Sequence, residues 1–283
     1  MDRGVYTFVI VIPSGFEKSI LKGEGSEIQL NIDATRMSQA GIGASYISQI
    51  ITQEINTFLN IQTQNSPIDL NVSYKYNPNL TSSWFGSINK VIDNIMTFSI
   101  LLAAAALMRE REHGTIEHLL VMPVNTFEIM ISKVLSTMIV ILFGVLFALN
   151  IVVDLIFDVP IVGSIWLFLF STVLVLFATT SMGIFIGTVT KSMPQLGMMF
   201  ILVVLPLMML SGGITPYESM PEILQYIMKV SPTTHFIEVA QAILFRDAGI
   251  GIVWESLIAI LVIGLFFFIF ALLTLKKSLE TQS

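Results

Sequence analysis

Apolar runs recur five times along the chain, at about 91–108, 134–153, 165–189, 197–210 and 254–275. A bilayer's hydrocarbon core is crossed by about 20 apolar residues of helix, so the runs predict membrane spans. The fourth is short, carries Pro206 and ends on Ser211, Gly212 and Gly213. It predicts a helix that stops within the membrane or turns back on itself. Ahead of the first run the period changes. Val5 to Ile12 is an apolar strand closed by Pro13, and Ser14 with Glu17 forms a capping box for a short helix toward Leu21. Glu27 to Ile32 and Ile68 to Tyr76 alternate like strands. Between them, Thr35 to about Leu59 predicts a long helix softened by Gly41 and Gly43. The expected architecture is an α-helical integral membrane protein with a small extracytoplasmic α+β domain over 1–90 and a transmembrane domain over 91–283.

Between the fourth and fifth runs, Thr215, Pro216 and Glu218 mark one helix start, and Ser231 with Pro232 marks another. Ile223, Leu224 and Ile227 share a face of the first helix, and the second is nearly apolar along Phe236, Ile237, Val239, Ala240, Ile243 and Leu244. Both helices read as half wet, a re-entrant pair over about 215–248. A gate over a translocation path and an interfacial brace both fit this pattern.

Composition agrees with the spans. Hydrophobic residues make up 54% of the 283, charged residues 12%, and the mean hydropathy is +0.81, too apolar for one water-soluble core. A net charge of −6 gives no footprint for nucleic acid, and the absence of cysteine excludes disulfides and thiol chemistry. His113 and His118 have no third ligand, HExxH is absent, and no metal site is expected. No catalytic set of acid, base and nucleophile converges at one membrane depth. No GxxxxGK[ST] loop occurs, so the chain does not bind ATP in that way, and any uphill transport draws its energy from a partner. Asp93 and Asn94 lie near the outer end of the first span and Glu255 near that of the last.

Arg109, Arg111, Lys133, Lys191, Lys276 and Lys277 fall on one set of connections, which the positive-inside rule places in the cytoplasm. Five spans then put residues 1–90 outside. No signal peptide or earlier span is present to export them, so a leading transmembrane helix is expected to be missing and six spans are expected in the complete protein. The segment Arg109 to Pro123, REREHGTIEHLLVMP, is pinned between the first two runs. Four consecutive ionisable residues precede Ile116, Leu119 and Leu120 at i, i+3, i+4 spacing, which describes an amphipathic helix at the bilayer surface. A plain cytoplasmic loop with stop-transfer charges is the alternative.

The run REREHGTIEHLLVMPV, with LSGGITPYESMPE from Leu210 and SPTTHFIEVAQAIL from Ser231, resembles the permease subunit of ABC-2 type transporters, in the bacterial drug-exporter-like branch. VIPSGFEKSIL and LNIDATRMSQAG in the outer domain match that branch too. The resemblance implies the ABC-2 permease fold and a multi-pass protein of the bacterial inner membrane. It also implies a coupling element of Arg109, Glu110, Arg111, Glu112, Gly114, Thr115, Glu117, Leu119, Leu120 and Pro123 that docks on a separate ABC ATP-binding subunit. ATP and magnesium would bind on that partner and no cofactor on this chain. Ser211, Gly212, Gly213, Pro216, Pro232, Thr233, Thr234, His235 and Glu238 would form the re-entrant gate. The family implies export of drugs or other amphipathic compounds by two permease subunits, as a homo- or heterodimer, with a periplasmic adaptor as a further partner. Gly183 and Gly187 form a GxxxG at which two helices can approach closely. The rival class is a membrane-anchored sensor or assembly protein whose outer domain binds a ligand without transport.

Overall fold

A computed structural model describes residues 6–22, 26–34, 37–59, 68–75, 82–114, 123–157, 159, 161–211 and 220–280. Two compact units divide the chain between Phe85 and Gly86.

The first unit is an α+β module. Strand β1 (Phe8–Val11) pairs antiparallel with β2 (Ser26–Asp33), which pairs parallel with β3 (Ile68–Lys75). Helix α2 (Met37–Phe58) supplies the long connection that two parallel strands require. Period-2 alternation sends Leu30 and Ile32 to one face, where they pack with Ala40 and Ala44 of α2 under Phe8, Ile47, Val72 and Tyr74. Gly43 sits where a Cβ would fall 2.2 Å from the Phe8 ring, so this glycine makes room for the aromatic that closes the core. The other face of β2 and β3 is polar, and Asn71 donates to Glu27 across the pair at 2.7 Å. The short helix α1 (Phe16–Leu21) starts one residue later than the Ser14 capping box requires. Its N-cap is Gly15 at φ 83°, with no side-chain cap.

The second unit is helical. Helix α3 (Ser82–Glu112) begins nine residues before the apolar run that predicts it and continues through Gly86. It is followed by α4 (Thr126–Phe147), which continues π-wound over Ala148–Ile156. Next come α5 (Ile165–Val189), the shorter apolar α6 (Met193–Met209, π-wound over Phe200–Val204), α7 (Glu222–Lys229), α8 (Pro232–Arg246) and α9 (Ile250–Glu280). Among the described residues, four helices are long and apolar enough to cross a membrane: Gly86–Glu112, Thr126–Ile156, Ile165–Val189 and Ile250–Ser278. Helix α6 occupies the fourth predicted run.

Several starts follow their sequence signals. The Asn125 amide donates to Glu128 at the head of α4 (2.9 Å), Ser164 accepts from the Leu167 amide before α5 (3.4 Å), and Pro232 opens α8 after Ser231.

Helix α5 is the hub. Its Phe168 packs on Phe236 of α8 (ring centroids 6.1 Å apart) and its Phe177 stacks on Phe268 of α9 (5.3 Å). Against α3 it presents Thr179, Gly183 and Gly187, at i, i+4 and i+8 along one face. The Ser99 hydroxyl donates to Thr179 at 2.6 Å, and Cβ atoms at the two glycines would fall 2.4 Å from the Ile100 carbonyl oxygen and 2.9 Å from that of Ala104. Helices α4 and α9 instead turn apolar side chains outward, among them Phe143, Leu155, Phe266 and Leu273. In a bilayer such a face needs no protein cover.

The helix pair between the last spans departs from its half-wet expectation in opposite ways. Helix α8 is enclosed almost all round, with Phe236, Ile237, Val239, Ala240, Ile243 and Leu244 buried, because its sequence is apolar on nearly every face. Helix α7 leaves Ile223, Tyr226 and Ile227 exposed. The turn before α5 is fastened to α8: the Val162 amide donates to the Leu244 carbonyl at 3.2 Å, and a Cβ on Gly163 would lie 1.8 Å from the Ile243 carbonyl oxygen. Backbone cannot yield there as a side-chain tip can. Gly163→Ala is expected to lower stability by about 1–3 kcal/mol, the usual cost of overpacking, read as a drop in the thermal midpoint of the purified protein.

Candidate functional site

The charged quartet Arg109 to Glu112 forms the last turn of α3, and its geometry follows from the helix. Successive residues point 100° apart, so three consecutive side chains fan out to three different neighbours. Glu110 forms a partly buried ion pair with Lys133, in the second turn of α4. Arg111 turns toward α5: its Nη1 donates to the carbonyls of Gly187 (3.3 Å), Thr188 (2.8 Å) and Thr190 (3.2 Å), and its Nη2 donates to the Ser278 hydroxyl on α9. The Oε1 of Glu112 accepts the Met193 amide at 3.0 Å, the first amide of α6.

Arg111 and Glu112 each meet a neighbouring helix at the end whose dipole favours their charge. Arg111 sits on the last carbonyls of α5, the negative end, and Glu112 on the first amide of α6, the positive end. One turn of α3 thus gathers the ends of α4, α5, α6 and α9 into a clasp. The apolar layer beside it contains Ile100, Ala104 and Met108 of α3, Met182 and Ile186 of α5, and Leu196 and Val204 of α6. Arg109 stays exposed. The helix then ends at Gly114, whose φ of 68° supplies the left-handed residue that stops it. Thr115, Glu117, Leu119 and Leu120 lie outside the described residues. Pro123 is exposed just before α4.

Ser211 is buried and its hydroxyl bonds back to the Met208 carbonyl, while Gly212, Gly213 and Pro216 lie outside the described residues. Pro232 and Thr233 are buried in the first turn of α8, where the hydroxyls of Ser231 and Thr233 share a hydrogen bond of 2.6 Å. Thr234 and His235 are half-buried, and a ring nitrogen of His235 meets the Lys229 carbonyl at 2.9 Å. Glu238 is exposed and accepts from Ser256 at 3.4 Å. Among the described residues, no group of three or more His, Asp and Glu is arranged to hold a metal ion.

Long apolar helices packed around a buried hub, with their ends gathered by one charged turn, define a multi-pass membrane protein. The chain belongs to the ABC-2 family of transporter proteins, which it matches over residues 1–273. It is 50% identical to the inner membrane transport permease YhhJ of Escherichia coli, an alignment that takes in 100% of this chain and 76% of that protein. It is 30% identical to the probable multidrug ABC transporter permease YbhR of E. coli over 93% of this chain and 71% of the relative. With the probable multidrug permease YbhS the figures are 28%, 89% and 68%. No solved structure matches. The chain is therefore an inner-membrane permease subunit, and in this family ATP hydrolysis is carried out by a separate ATP-binding subunit.

Proposed function

We propose that this chain is the permease half of an ATP-driven exporter of amphipathic compounds, with Arg109 to Pro123 as its contact with the ATP-binding subunit. The clasp is the observation that carries this reading. A push on the segment after Gly114 acts on the last turn of α3, which holds the ends of α4, α5, α6 and α9. A small displacement at that turn therefore moves several spans together, as alternating access requires. In this reading the Arg109 end faces the cytoplasm and residues 1–90 lie outside. ATP and magnesium bind the partner, and a second permease subunit completes the path. The outer domain is the element available to a periplasmic adaptor. The relatives named as multidrug permeases support amphipathic cargo.

Because Glu110 and Glu112 are engaged within the permease, the docking test belongs further along. Glu117→Lys, and Leu119→Asp combined with Leu120→Asp, are expected to cut recovery of the ATP-binding subunit at least tenfold in co-purification from native membranes. Yield and thermal midpoint of the permease should be retained. Unchanged recovery from both variants would remove the docking role from this segment. Loss of sensing rather than of ATPase recovery would favour the rival sensor class.

A further inference from the structure

Asp93 is an acidic residue within a span, and the clasp does not use it. It lies 16 residues before Arg109, about 24 Å along the helix axis at the standard rise, so it falls within the thickness of a hydrocarbon core of about 30 Å. Asn89, Asp93 and Thr97 recur at i, i+4 and i+8 and make one half-buried polar stripe on α3. Both ends of the stripe are engaged. The side-chain oxygen of Asn89 accepts from the Gln241 amide of α8 at 3.1 Å, and the Thr97 hydroxyl donates to the Asp93 backbone carbonyl at 2.7 Å and lies 3.3 Å from the Met208 sulfur of α6. Asp93 thus stands between a contact with α8 and a contact with α6.

Its carboxylate makes no hydrogen bond or ion pair among the described residues. Lys90, one turn outward and exposed, acts on it only through space. A carboxylate left without a partner in apolar surroundings is costly, and ionisable groups inside a span are usually kept for what they bind.

We propose that Asp93, flanked by the Asn89–Gln241 amide pair, is a recognition site for the cationic head of an amphipathic substrate. The assignment rests on the export reading and narrows its cargo to amphipaths with a delocalised or amine-type positive charge. The cation supplies the direct partner that the carboxylate lacks among the described residues, where Lys90 acts only at a distance. The amides, each with a polar atom beyond the bond they share, orient the head group, and the apolar sides of α3 and α6 receive its hydrocarbon body.

Two arms separate this site from the export reading. In the first, tetraphenylphosphonium binding to the full-length permease in nanodiscs is measured by equilibrium dialysis, beside the neutral triphenylphosphine oxide and the size-matched anion tetraphenylborate. The unaltered protein is expected to bind the cation at least tenfold more tightly than either comparator. Asp93→Asn should lose at least tenfold in affinity, about 1.4 kcal/mol, and Asp93→Glu should recover most of it. Equal binding by the unaltered and Asn proteins, or no preference for the cation in the unaltered protein, overturns the site. The preference is read on the unaltered protein, so it stands even if a variant folds poorly. In the second arm the same probes are added to the permease with its ATP-binding subunit. If none of them stimulates hydrolysis, the export reading fails, whatever the first arm gives.

Discussion

Replacing Arg111 with Ala is expected to lower stability by about 3 kcal/mol, the scale of truncating a charged, partly buried hydrogen-bonding group and leaving its acceptors unpaired. Three carbonyls at the end of α5 lose their donor, and Thr188 and Thr190 are too deeply buried for water to replace it freely. The link from α3 to Ser278 of α9 is lost in the same step. Lys at this position should recover only part of the loss. An ammonium is a compact point charge, whereas the guanidinium reaches the α5 carbonyls with one nitrogen and α9 with the other. The check is thermal unfolding of the purified full-length protein in nanodiscs, comparing Arg111→Ala, Arg111→Lys and Arg109→Ala. Arg109 is exposed, so its truncation should shift stability by less than about 0.5 kcal/mol. If Arg111→Ala and Arg109→Ala behave alike, the clasp does not hold the helix ends.

The same geometry changes what charge reversal at Glu110 and Glu112 would report. Glu110→Lys would place two ammonium groups against each other at Lys133, and Glu112→Lys would put a cation on the positive end of α6. Transport lost in such variants would reflect a loosened permease as much as a lost partner. Variants beyond Gly114 are therefore the cleaner probes of docking.

Much of the fold was legible because the bilayer makes the pattern simple. A span must be long, apolar and helical, so composition in a window near 20 residues locates it. Strands β2 and β3 were legible from alternation, β1 from an apolar run closed by Pro13, and α8 from Ser231 and Pro232. The clasp was visible only as four charges in a row. Its partners Lys133, Thr188, Met193 and Ser278 lie 23 to 167 residues away in sequence, and no local spacing encodes which side chain reaches which helix end. Helix-end chemistry offered a usable signal: a cation and an anion side by side, with Thr190 and Ser192 marking a helix stop and start between the third and fourth runs. The Ser14 capping box shows the opposite failure. The motif is present, but Gly15 adopts the cap position, since a glycine enters the left-handed region more readily than serine does. The π winding of Ala148–Ile156 and Phe200–Val204 was not signalled by the hydrophobic pattern.

The GxxxG at Gly183 and Gly187 yields the other large expected effect, because its spacing alone left open which helices it brings together. In the structure both glycines press on α3 of the same chain. A Cβ at Gly183 would also fall 3.1 Å from that of Ala103, so small residues face one another, and the Ser99–Thr179 hydrogen bond closes the row one turn away. A single Gly183→Ala is expected to cost about 1–3 kcal/mol as α3 is forced outward. Gly183→Leu with Gly187→Leu should abolish assembly, since two bulky side chains cannot be placed where backbone already stands. The measurement is paired: thermal midpoint and oligomeric mass of the same purified samples. If the glycines serve α3, Gly183→Ala lowers the midpoint whether the protein runs as one copy or two. If they serve a contact between two permease subunits, the midpoint of the single copy stays put and only the mass changes. The distances to Ile100 and Ala104 favour the first result. They also tie the motif to the clasp, because Gly187 lends its carbonyl to Arg111 while its missing side chain lets α3 approach closely enough for that guanidinium to reach it.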